Sequence, residues 1–279
     1  MCQGRAAAHG RASTPRFSDP TALALLLDEE RVPVEQVRAG TPLPGWAPRV
    51  AFELVRATAE MMVPRTVAID DAVRGRSAPQ LVIVGAGLDG RAWRMRELAE
   101  VDVFEVDHPA SQLDKRQRIR ELAPVSRSLR YVPVDLARDR LGDALDAAGH
   151  QPSVATTWVW EGVVPYLSKA DVTATVATVA ELSAVGSCLI VNYQIPSLRA
   201  ALGRVAVRAM TTVARRPSLW SDEPRRSAWT PAAMRALLAA AGFTAEADDD
   251  LLTIAGRLEL RSGRRGSLRN GRVVTATRY

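Results

Sequence analysis

Leu81-Val82-Ile83-Val84-Gly85-Ala86-Gly87-Leu88-Asp89-Gly90 decides the fold of this chain. Four apolar residues ending at a glycine have the pattern of a short strand buried on both faces, as in a parallel sheet. The glycines follow in the spacing G-x-G-x-x-G, and the residues from Asp89 to Leu98 predict a helix. Strand, glycine turn and helix in that order open a nucleotide-binding unit, because backbone without side chains lets a ligand approach closely. Asp107 lies 20 residues beyond Gly87, at the end of the next predicted strand, Val101–Val106. A carboxylate there can accept hydrogen bonds from both hydroxyls of a ribose.

Downstream, the alternation repeats. Helices are expected over 109–122, 141–148 and 171–182, and strands over 130–134, 154–160 and 187–192. Repeated strand–helix units require right-handed crossovers and a mostly parallel sheet. Thr230-Pro231 opens a further helix that Gly242 stops, Asn270-Gly271 signals a turn, and 273–278 reads as a terminal strand. The Asp248–Asp250 run reads as a solvated loop. Trp158 and Trp160 read as sheet core.

Upstream, residues 1–16 carry Arg5, Arg11 and Arg16 and no acid, and read as an unstructured basic tail. Asp19-Pro20 is the signature of a helix start. Pro33 and the stretch Gly40-Thr-Pro-Leu-Pro-Gly45 are breakers. Two further helices are expected over 48–62 and 65–73. Residues 1–79 are thus expected to be a disordered tail and an N-terminal helical cap, and 80–279 the α/β domain. Residues 194–229 interrupt the rhythm. Leu198, Leu202, Val205, Ala209 and Val213 share a helical face bordered by Arg199, Arg204 and Arg208, which reads as a helical lid insertion.

The nucleotide is narrowed by Asp89. A dinucleotide sets its pyrophosphate on the helix N-terminus after the glycine loop, and a carboxylate there repels phosphate. S-adenosylmethionine has no phosphate and carries a cationic sulfonium, so an acid at the loop suits it.

Formal net charge is +6, and the basic residues are almost all arginine, the lysines being Lys115 and Lys169. With the alanine enrichment, this reads as the mark of a GC-rich genome rather than of a nucleic-acid surface. No run reaches the roughly 20 apolar residues of a membrane span. Cys2 and Cys188 lie far apart, with neither a disulfide framework nor metal spacing, which predicts a reducing, cytoplasmic setting and no metal site.

Four motifs occur in order: Val82-Ile-Val-Gly85-Ala-Gly87-Leu-Asp89-Gly-Arg91-Ala-Trp-Arg94, Phe104-Glu-Val-Asp107-His-Pro109, Val132-Pro-Val-Asp135-Leu136 and Trp160-Glu161-Gly162-Val-Val-Pro-Tyr166-Leu167. Together they resemble the leucine carboxyl methyltransferase family, in particular its bacterial branch of S-adenosylmethionine-dependent methyltransferases. The likeness covers roughly residues 60–193. It implies a Rossmann-like class I methyltransferase fold, with a central, mostly parallel seven-stranded sheet, an antiparallel last strand, helices on both faces and a helical cap. It also implies S-adenosyl-L-methionine as cofactor, with Gly85, Ala86 and Gly87 forming its cradle and Asp107 holding its ribose. Asp135 and Leu136 would clasp adenine. Arg65, in Pro64-Arg65-Thr66, would pair with the methionyl carboxylate and Glu161 would face the methionyl amine. Tyr166 would project toward the acceptor.

The acceptor expected is a carboxylate of a small metabolite or peptide, which is already ionised and needs no general base. His108 follows the ribose aspartate and reads as structural, and His9 and His150 have no evident partner. A basic lid would attract an anionic acceptor. Three competing readings remain: an NAD-dependent oxidoreductase using the same loop, a non-enzymatic binding module, and an arginine-rich nucleic-acid binder. The sequence carries no signal for oligomeric state.

Overall fold

The computed structural model describes residues 1–120, 122–135, 138–197, 226–260, 263 and 265–279. Strand β1 (Gln80–Val84) is buried along its whole length. It pairs in parallel with β2 (Asp102–Asp107) on one side and β4 (Thr156–Trp160) on the other. β3 (Ser128–Pro133) and β5 (Cys188–Gln194) extend the parallel set outward. β7 (Gly271–Arg278) inserts antiparallel between β5 and β6 (Phe243–Asp250), giving the order β3-β2-β1-β4-β5-β7-β6. The expected seven-stranded, mostly parallel sheet is therefore present.

Side chains alternate across a strand with period two, and β1 separates two cores accordingly. Leu81 and Ile83 join the cluster that also holds the helices of residues 1–79. Val82 and Val84 join Phe104, Trp158 and Trp160 under α7 (Leu141–Ala147), α8 (Lys169–Glu181) and α9 (Pro231–Ala240). Both tryptophans are core, as expected.

Four local expectations fail. The tail expected to be disordered holds α1 (Cys2–Ala8), with all but Gln3 of its residues buried. The reason is close approach to α4 (Trp46–Arg74): a Cβ on Gly4 would lie 2.6 Å from Thr58 Cγ2 and 2.9 Å from the Thr58 carbonyl carbon. Glycine and alanine let the two helices meet without the large apolar stripe by which a helix is recognised in sequence.

Second, α4 is one helix of 29 residues and runs through Pro64. An interior proline costs about 3 kcal/mol. Phe52, Val55, Met62, Val63, Val67, Ile69 and Val73 are buried along it. Each such side chain contributes roughly 1.5–3 kcal/mol, so continuous packing outweighs the lost hydrogen bond. Pro33 likewise lies inside α3 (Asp28–Ala39), which follows the short α2 (Thr21–Ala24).

Third, Asp248–Asp250 is the end of β6, not a solvated loop. Arg272 and Arg235 pair with Asp248, and Arg257 with Asp249. The edge strand is thus charged, which discourages further strand pairing. Fourth, Asn270-Gly271 makes no hairpin: Asn270 ends α11 (Arg265–Asn270), which follows α10 (Leu251–Arg257), and Gly271 opens β7.

Of the expected lid, residues 198–225 lie outside the described residues, with Arg199, Arg204 and Arg208 among them. No described helix is long and apolar enough to cross a membrane.

Candidate functional site

Crossovers from β1 run toward β2 and β3 on one side, and those from β4 toward β5 on the other. Open α/β sheets bind ligands at the carboxyl ends of the strands at such a switch point. Here the carboxyl ends of β1, β2 and β4 deliver Gly85, Asp107 and Glu161 to one cavity of about 760 Å³.

The loop after β1 is held in place by its own backbone. The amides of Gly85 and Ala86 donate to the Val106 carbonyl at 2.8 and 3.0 Å. Gly85 has φ +68°, and a Cβ there would overlap Val163. Gly87 has φ +47° and nothing closer to its would-be Cβ than Asp107 Oδ2 at 3.9 Å, so it leaves open space on the cavity side. Only glycine combines that backbone with that clearance.

Asp107 is fixed at the end of β2. Its Oδ2 accepts from the Gly87 amide at 2.5 Å and its Oδ1 from the His108 amide at 2.6 Å. The carboxylate keeps lone pairs for two further donors. His108 caps α6 (Pro109–Ile119) by accepting from the Ala110 amide at 3.2 Å, in keeping with a structural role.

Behind the loop lies a buried network of four arginines and four carboxylates. Arg91, 2% exposed, contacts Asp70 at 2.8 Å, Glu161 at 2.9 Å and Asp89 closely. Arg65 contacts Glu161 at 2.8 Å. Arg94 contacts Asp70 at 2.6 Å and Asp19 at 3.6 Å. Arg5 contacts Asp19 at 2.7 Å and donates to the Leu88 carbonyl at 2.6 Å. Burial alone would raise Glu161 and Asp70, but their facing arginines hold both carboxyls below the usual range. Burial lowers Arg65 despite Glu161 beside it. The four cations and four anions balance, which a low-dielectric interior requires.

This network revises the reading of Asp89. Its carboxylate caps the Arg91 amide at 2.7 Å and is neutralised by the Arg91 guanidinium, so it presents no free negative charge to a ligand. Two other features disfavour a pyrophosphate. The Gly87 amide is already donated to Asp107. The helix that follows, α5 (Arg91–Arg94), has four residues and few aligned dipoles to offer.

A family model for leucine carboxyl methyltransferases matches residues 1–180. The chain belongs to the leucine carboxyl methyltransferase family. A Frankia alni relative, named as an S-adenosyl-L-methionine-dependent methyltransferase, is 38% identical over 177 residues, 62% of this chain and 59% of that one. A Streptomyces coelicolor relative named likewise is 38% identical over 135 residues, 47% of each chain. The chain therefore spans less than two thirds of these relatives' length. The fold is shared with magnesium protoporphyrin IX methyltransferase from Synechocystis with bound SAH, at TM-score 0.50 and 14% identity over 80% of this chain and 88% of that one. It is also shared with a DUF574 family protein from Streptomyces avermitilis, at TM-score 0.52 and 18% identity over 81% and 84%.

Within this family member, Gly85, Ala86, Gly87, Asp107, Glu161 and Tyr166 all line the cavity. Arg65 does not: it is buried behind Glu161 and also contacts Asn192 at 3.4 Å. Val134 lines the cavity, whereas its neighbour Asp135 does not and faces Arg138 at 3.6 Å. Leu136 lies outside the described residues. Sequence reading missed Arg5, Asp19, Asp70, Arg91 and Arg94 as site components. The local signal was Asp89-Gly-Arg91, an acid and a guanidinium two residues apart at a helix start.

Proposed function

We propose that this chain is an S-adenosyl-L-methionine-dependent methyltransferase that methylates a carboxylate oxygen of a small metabolite or peptide. The observation that carries the reading is the convergence of Gly85–Gly87, Asp107, Glu161 and Tyr166 on one cavity at the switch point, in a chain of this family. The residues suit the donor. Open space at Gly87 admits a nucleoside, and the doubly anchored Asp107 carboxylate can receive ribose hydroxyls. Adenine is assigned to the β3 end of the cavity, where Val134 lines it next to Asp135. Glu161, which lines the cavity, is assigned to the methionyl ammonium, and Arg65, buried behind it, holds that carboxylate in place. When bound, the donor supplies a methyl on a cationic sulfonium.

The protein's part is then alignment and exclusion of water. Orientation of two reactants can account for about 7–11 kcal/mol of a barrier. A carboxylate acceptor is ionised at neutral pH. His108 is committed to capping α6, so the reading asks no imidazole for proton transfer. Tyr166, half-buried at the β4 side of the cavity, is assigned to the acceptor. The setting proposed is cytoplasmic.

The test is incubation of the protein with methyl-labelled donor and a panel of carboxylic acids. A product cleaved by mild base is expected, and a base-stable product overturns the carboxylate assignment. Calorimetry with S-adenosylhomocysteine and NADH separates this reading from an oxidoreductase, since tight NADH binding alone would reverse it.

A further inference from the structure

The cavity extends from Asp107 and Val134, over β2 and β3, to Val163, Tyr166, Leu167 and Arg226 after β4. Its lining acids are compensated. Asp89 pairs with Arg91, Glu161 with Arg65 and Arg91, and Glu30 with Arg118 at 2.5 Å, while Asp107 accepts two backbone amides. The lining cation Arg5 pairs with Asp19. Arg226 is different: its guanidinium has no ion-pair or hydrogen-bond partner among the described residues. Asp171 feels its charge, but that carboxylate is committed to the amide and hydroxyl of Ser168 at 3.0 and 2.7 Å.

Arg226 is exposed, and its backbone is held in position. Its amide donates to the Pro165 carbonyl at 2.7 Å. The next residue, Ser227, donates its hydroxyl to the Val164 carbonyl at 2.9 Å, and Trp229 donates its amide to Gln194 at 2.9 Å. These bonds seat the Arg226 backbone on the turn that carries Tyr166, on the side of the cavity away from Asp107 and Val134.

We propose that Arg226 grips a carboxylate of the acceptor other than the one that takes the methyl group, so that the acceptor is at least a dicarboxylate. The inference rests on the methyl-transfer reading above. Transfer to a carboxylate removes the charge of that carboxylate. A cation touching the accepting oxygen would therefore favour the ground state over the transition state and slow the reaction. A cation on a second, unreactive carboxylate binds both states equally and only strengthens capture. A single guanidinium fork matches a carboxylate in bidentate fashion, and no second unpaired cation among the described lining residues builds a phosphate site.

The experiment titrates the full chain, loaded with S-adenosylhomocysteine, with glutarate, dimethyl glutarate and inorganic phosphate, followed by calorimetry or ligand-observed NMR. Glutarate is expected to bind tighter than dimethyl glutarate. Arg226→Gln should weaken glutarate about 10- to 100-fold, the range for a hydrogen bond to a charged group. It should leave dimethyl glutarate and S-adenosylhomocysteine affinity unchanged, and Arg226→Lys should retain part of the glutarate affinity. Glutarate binding that is the same in Arg226→Gln overturns the proposal, as does tighter binding of phosphate than of glutarate. Failure of S-adenosylhomocysteine to bind counts against the donor reading alone, because glutarate titration of the unloaded protein still reads Arg226.

Discussion

Replacing Arg91 with methionine removes the cation on which three buried carboxylates converge. Its side chain is 2% exposed, and it contacts Asp70 at 2.8 Å, Glu161 at 2.9 Å and Asp89 closely. Asp70 would keep Arg94 and Glu161 would keep Arg65, but Asp89 would lose its ion-pair partner. Breaking a buried pair by deleting one partner costs about 3–5 kcal/mol. That is a large share of a total stability of about 5–15 kcal/mol. For a chain of this size it corresponds to a fall in Tm of about 6–20 °C. Urea unfolding followed by circular dichroism measures it, with an unchanged slope showing that the denatured state is unaltered.

The pH dependence carries a definite sign. Glu161 and Asp70 have depressed values in the folded state, held down by their arginines against the effect of burial. Their contribution is present above the unfolded carboxyl values of about 4 and is lost as pH falls through the lower folded values. The gap between wild type and Arg91→Met should therefore be widest near neutrality and narrow below about pH 4. Adding Asp89→Asn should recover part of the loss. A stability change under about 1 kcal/mol, or a gap that widens in acid, would refute the network as described.

Three further outcomes are expected. Gly4→Val drives a side chain into the Thr58 backbone and should cost about 1–3 kcal/mol by overpacking, read as a lowered Tm with faster proteolysis of the first residues. Gly87→Val fills open cavity space at φ +47°, so S-adenosylhomocysteine binding should vanish by calorimetry while the far-ultraviolet spectrum stays native. Lys115→Met strands Glu105, which pairs with Lys115 at 2.6 Å and which burial raises to about 7. Because a carboxyl raised that far takes up a proton when its partner is lost, that variant should lose less than the roughly 3–5 kcal/mol of a stranded charge at neutral pH, and the loss should grow as pH rises, by urea melts.

Much of the sheet was legible because its signals are local. β1 is a run of four apolar residues closed by a glycine, and the residues that make it a strand are the ones that bury it. Gly85 and Gly87 carry positive φ, a demand visible in residue type alone. Asp107 was readable because its distance from the loop along the chain is set by one strand–helix unit. These features determined the fold class and the glycine-loop end of the cavity.

Tertiary structure decided the rest. α1 had no amphipathic signal, because its packing on α4 uses glycine and alanine, and the fit exists only when both helices are placed. β6 looked like a solvated acidic loop until Arg272, Arg235 and Arg257 came alongside it. The Arg65–Glu161 pair joins residues 96 apart in sequence, and Arg5 reaches Leu88 across 83. No periodicity or spacing encodes such contacts. Charge pairing in a low-dielectric interior is a property of distance in space, and the chain has to fold before those distances exist.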